Sequence, residues 1–176
     1  MNKEGLFSEL IGERITALYR VAVTNKRFES DSIELSDTLV FGLESNRLLE
    51  FMVEQASSYL VSLSNKSQLI PSFELDENEV CQLVALNNQD SILRFPIVVT
   101  SVTEWWVGGT QDSEFLVGVV LWGPRQTPLM SMCTEGDDIE QMTYSEMKTL
   151  LERMTLDYPK LEEFSYSSRL EHRLVA

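Results

Sequence analysis

The side chains able to do chemistry are few and scattered. The single histidine, His172, stands near the C-terminal end in Arg169-Leu170-Glu171-His172-Arg173. A general base needs a partner held within about 3 Å, and chain ends are usually mobile, so His172 reads as a surface residue. Cys81 and Cys133 form neither a C-x-x-C pair nor a metal-spaced cluster and read as small buried hydrophobes. There is no G-x-S-x-G elbow, and no histidine inside the fold to activate a serine or cysteine. Gly108-Gly109 lacks the following Lys or glycine of a phosphate loop. Glu135, Asp137, Asp138 and Glu140 crowd carboxylates as a calcium site does, but Gly136 falls between the first two and breaks the spacing of an EF-hand loop. The expectation is a non-enzymatic chain with no metal and no cofactor. A carboxylate-only enzyme, whose acids need no local motif, is kept as a rival.

Charge is the strongest remaining feature. The 176 residues carry 28 Asp and Glu against 14 Lys and Arg, a formal net charge of −14. Such a surface repels phosphate, which argues against nucleic acid and anionic membranes as partners and permits attraction to a basic protein. The acids gather in three base-free runs, Glu29 to Glu44, Glu74 to Asp90 and Glu135 to Glu146, with five acids in each. If their loops converge they make one negative face; if they diverge they merely solvate the chain. Glu135, Asp137, Asp138 and Glu140 are the expected partner contacts. Adjacent Trp105 and Trp106 face opposite sides of a strand. One belongs to the core and the other packs under a helix or anchors a partner, and Trp105 joins the candidate contacts.

Apolar residues make up 43% of the chain, enough for a real core, and the length suits a single domain over 1–176. No stretch approaches the roughly 18 apolar residues of a membrane span. Met1 to Gly12 has no long apolar run, so no signal peptide is read and the expected compartment is the cytoplasm.

The elements that must position these residues are mostly strands. Leu6, Phe7, Leu10 and Ile11 share a face in a short helix over Lys3 to Ile11, closed by Gly12. Arg14 to Val23 alternates as a strand, and Thr24 to Ser36 is a polar loop. Thr38 to Leu43 and Arg47 to Val53 flank a turn at Glu44-Ser45-Asn46, and Ser57 to Leu63 is a further strand. Asn65 to Ser72 is a linker. In 76–86, Asp76 and Glu79 have capping-box spacing and favour a helix over a strand. Ile97 to Val107 is a β-branched and aromatic strand. Phe115 to Trp122, apolar almost throughout, should be central and covered on both faces. A turn over Gly123 to Gln126 leads to the strand Pro128 to Thr134, then to an acidic loop over Glu135 to Glu140. Thr143 caps a helix from Tyr144 to about Leu156, with Met147, Leu150, Leu151 and Met154 inward. The tail from Leu161 reads as a second short helix.

One order is written twice. Ile15 to Val23 resembles Val99 to Val107. Each is followed by a polar acidic loop, an apolar strand (Leu39 to Leu43, or Leu116 to Val120) and a returning strand (Leu48 to Val53, or Leu129 to Thr134). β-Meanders resemble one another for general reasons, so internal duplication over about 12–64 and 96–143 is an expectation beside that simpler explanation. The fold class expected is α+β: antiparallel sheet of about 7–8 strands, as two similar meander halves or one continuous sheet, with an N-terminal helix and one or two C-terminal helices.

In size, acidity and β-rich composition the chain is similar to bacterial immunity proteins that neutralise nuclease toxins, a likeness that covers no particular residues. The resemblance implies a one-to-one complex in which acids occupy the cationic, nucleic-acid-binding cleft of a toxin. The rivals are a secretion chaperone or adaptor, with an exposed apolar surface, and a structural or small-molecule-binding domain with a pocket between the halves. The chain is expected as monomer or homodimer.

Overall fold

A computed structural model describes residues 5–26, 34–55, 58–67, 74–86, 94–108, 114–135, 138–158 and 160–167. They build two antiparallel sheets and one α-helix. The first sheet contains β1 (Arg14–Asn25), β2 (Glu34–Leu43), β3 (Arg47–Gln55), β4 (Ser58–Asn65) and β5 (Glu79–Ala85), in the order β4-β3-β2-β1-β5. The short β6 (Ile97–Val98) pairs with the start of β1. The second contains β7 (Ser101–Gly108), β8 (Glu114–Gly123), β9 (Thr127–Glu135), β10 (Asp138–Met142) and β11 (Leu161–Ser167), in the order β10-β9-β8-β7-β11. Helix α1 (Tyr144–Asp157) joins β10 to β11. Each sheet is thus a four-strand meander whose fifth strand returns to the free side of the first.

The run from Ile97 to Val107, expected as one strand, serves both sheets. Ile97 and Val98 pair with Ile15 and Arg14. At the switch, Gly12 N–H donates to Val99 O (2.9 Å) and Thr100 N–H donates to Trp122 O (2.7 Å). The chain then enters the second sheet, so β1 and β7 begin at the same end of the molecule.

The inner faces supply the main core. Leu18, Phe41 and Phe51 from the first sheet meet Val102, Leu116 and Leu121 from the second, with Phe7 wedged between Phe41 and Phe51. Fully burying each of these side chains contributes about 1.5–3 kcal/mol. β8 is central, as its composition predicts. Its inner residues join that core, while Val120 packs with Trp105, Cys133 and Met147 under α1. A bulge between β7 and β8 sets Trp105 opposite Gly118 but Trp106 opposite Leu116. Tyr59 of β4 caps it, its hydroxyl accepting from Leu116 N–H (2.7 Å) and donating to Leu116 O (3.1 Å). Arg20 of β1 donates to the carbonyl of Ile139 in β10.

Several expectations are corrected. Among the described residues there are eleven strands rather than seven or eight. The N-terminal helix is, among described residues, a single 3-10 turn over Ser8–Leu10. Phe7 N–H donates to the buried Glu104 carboxylate (2.9 Å) instead of a helical carbonyl, and Gly12 leaves the turn at φ +85°. The 76–86 segment is not a helix. Its Asp76 N–H does donate to Glu79 Oε2 (3.0 Å), but the bond closes a turn, and Glu79 opens β5. The second C-terminal helix is β11, drawn into the sheet by the free edge of β7. The acidic stretch from Glu135 to Glu140 is largely strand: β9 ends at Glu135 and β10 starts at Asp138.

Candidate functional site

Pairing fixes where the acids stand. The far ends of both sheets meet where Tyr59, second in β4, bonds Leu116, third in β8, and where Thr134 near the end of β9 also bonds Leu116 O. At that end of the first sheet lie the last residue of β1, the first of β2 and the first of β5, because Val23 pairs with Glu34 and Asn25 with Glu79. At the same end of the second sheet lie the last residue of β9 and the first of β10, Glu135 paired with Asp138. One acidic strand end from each of the three runs therefore sits at one end of the sandwich.

Glu74, Asp76 and Glu77, leading into β5, are exposed, as is Glu140 two residues into β10. Lys26 and Lys160 also stand at this end. Asp137 lies outside the described residues, as does His172. The runs do not gather whole. Glu44 ends up at the opposite end and pairs with Arg14 (3.7 Å), beside a second ion pair between Arg47 and Glu13. Glu146 is at the N-terminus of α1, accepting from Thr143 N–H (2.7 Å) while Thr143 Oγ1 accepts from Glu146 N–H (3.2 Å). Hydrogen bonds from the Thr143 hydroxyl and N–H hold the Glu146 carboxyl below its ordinary value.

Trp105 belongs to a different place on the same sheet. Glu140, Cys133, Gly118, Trp105 and Glu163 form one cross-sheet row on the outer face. Met147 of α1 presses onto Gly118 in the middle of that row: a Cβ there would meet its Sδ at 2.9 Å. The helix thus separates Trp105 from Glu140, and the structure does not bring them together. Trp105 is 9% exposed, and its indole N–H donates to Glu163 Oε2 (3.2 Å). It forms part of an open groove of about 400 Å³ between α1 and β11, with Leu151 and Leu161 as apolar walls and Glu152, Glu163 and Lys148 at the rim. Beyond it Leu156 is 84% exposed. Trp106 takes the inner face, edge-on to Tyr59 with centroids 5.6 Å apart.

The sequence placed Glu74, Asp76 and Glu77 in an acidic run without naming them as contacts, and it did not single out Glu152 or Glu163. Their grouping depends on β5 and β11 returning beside β1 and β7, which needed the right element type in both segments. Among the described residues no group of three His, Cys, Asp or Glu lies placed to hold a metal ion, and no helix is long and apolar enough to cross a membrane. No protein-family model, curated protein or solved structure matches this chain.

Proposed function

We propose that the chain is an acidic, non-enzymatic protein-binding domain of the immunity or inhibitor type, meeting a basic toxin or nuclease with the acidic end of its sandwich. The observation that carries this reading is the meeting there of strand ends from all three acidic runs on a chain of net charge −14. Charges gathered on one end focus a field that steers a cationic surface into contact. Beyond about 8 Å at physiological salt that field is screened, so the reading requires strongly salt-dependent association. Glu135, Asp137, Asp138 and Glu140 are the proposed contacts. The Trp105 groove, which runs along α1 from Tyr144 to Thr155, is proposed to receive an apolar side chain of the same partner.

The test is a parallel capture from the native cytosol with the wild-type chain and a variant carrying Glu135→Gln, Asp137→Asn, Asp138→Asn and Glu140→Gln. One basic partner held by the wild type at low salt, released at high salt and lost by the variant is expected. Equal capture by both chains would sink the assignment of these residues, and no capture by either would leave the charge merely solubilising.

A further inference from the structure

At the opposite end from the acidic connections, beside α1 on the outer face of the second sheet, lies a hollow of about 230 Å³ lined by Ser101, Thr103, Gln126, Ser165, Tyr166 and Ser167. Register explains why hydroxyls gather there. Ser101 pairs with Ser167 and Thr103 with Ser165 across β7 and β11, so four hydroxyl side chains share one face on two adjacent strands. Gln126 is brought over them by the β8–β9 connection, where Arg125 and Gln126 take left-handed backbone at φ 59° and 56°.

The hydrogen bonding of this cluster is incomplete. Trp122 Nε1–H donates to Thr103 Oγ1 (2.9 Å), and Thr103 Oγ1 shares a proton with Ser165 Oγ at 3.1 Å. With one acceptor position of Thr103 taken by the indole, the Thr103–Ser165 pair still has a hydroxyl proton or lone pair to offer outward. Ser101 is 6% exposed, yet its Oγ has no hydrogen-bond partner among the described residues. A buried hydroxyl left unpaired is destabilising, and native chains keep such groups mainly where something else completes them. The hollow far exceeds the share of one water, about 30 Å³. None of the described lining residues is charged at neutral pH, and the acidity of the chain disfavours an anion.

We propose that this hollow binds a neutral polyhydroxylated small molecule of about one ring, a monosaccharide or cyclitol, whose hydroxyls both donate to and accept from Ser101, Thr103 and Ser165. The proposal is independent of the protein-binding reading and uses none of its residues.

The test titrates the ¹⁵N-labelled full chain separately with D-glucose, N-acetyl-D-glucosamine, myo-inositol and inorganic phosphate, following the Trp122 indole N–H resonance, which the Thr103 bond ties to the hollow. Saturable movement with at least one neutral probe is expected, weakened at least about tenfold, or 1.4 kcal/mol, in Ser101→Ala. Ser165→Ala, at an exposed position, should weaken it as well. The unliganded Ser101→Ala chain should melt higher than wild type, because it loses an unpaired buried hydroxyl. Silence with all three neutral probes, a response to phosphate alone, or undiminished binding by Ser101→Ala would overturn the proposal.

Discussion

Tyr59 shows how much one side chain carries in this fold. Its ring stacks on Phe51 (centroids 6.0 Å apart) and its hydroxyl satisfies both backbone groups of Leu116 at the β8 bulge. Tyr59→Phe keeps the ring and leaves Leu116 N–H without this acceptor, while Leu116 O keeps its bond from Thr134 Oγ1, so a loss of about 1–3 kcal/mol is expected in urea unfolding. Burial raises the Tyr59 phenol above its ordinary value of 10.0. The folded chain therefore holds this proton more tightly than the unfolded one. That contribution to stability is complete below pH 10 and is lost as pH rises through the folded value, and Tyr59→Phe should remove it from the alkaline limb of the stability profile. Glu146 acts in the other direction. Its lowered carboxyl contributes stability above its ordinary value near 4.5, lost as pH falls through the folded value. Glu146→Gln should flatten the acid limb of α1 helicity followed by circular dichroism. The cap was legible in the sequence because Thr143 and Glu146 are three residues apart before an apolar stripe. The role of Tyr59 was not, since its partner is 57 residues away.

At the scale of elements, α1 is held by a close approach rather than by a broad apolar face. Met147 is its one fully buried side chain, and it rests on Gly118. Gly118→Val should push Met147 off the sheet and destabilise the chain by about 1–3 kcal/mol. Thr143→Ala should cost about 1 kcal/mol through the lost cap. Thermal melts of the two variants check both, and Gly118→Val should also alter the fluorescence of Trp105 beneath the helix. Strands with strong alternation or β-branched runs, β1 to β4 and β7 to β9, were readable from local pattern. The segments that became β5 and β11 were not. Asp76 and Glu79 form half of a capping box, so the local signal was real, but β1 offered a free edge and pairing from Tyr19 to Asn25 outweighed a marginal helix. In β11, Phe164 and Tyr166 alternate with Glu163, Ser165 and Ser167, a weak period that only the neighbouring β7 decides.

At the scale of the whole molecule, two sheets of the same strand order share their ends, and that arrangement sorts the charge. Strand ends from the three acidic runs fall together at one end, while Glu13, Arg14, Glu44 and Arg47 pair at the other. The runs themselves were visible in the sequence; their meeting was not, because it depends on which way each strand points and on β5 lying beside β1. The acidic end is proposed as the place where a basic surface binds. The measurement that tests it most directly is an amide-shift titration of the labelled chain with deca-lysine. Perturbations should concentrate at the ends of β1, β2, β5, β9 and β10, fade as salt is raised, and spare the turn between β2 and β3. Shifts spread evenly over the surface, or centred on that opposite turn, would contradict it.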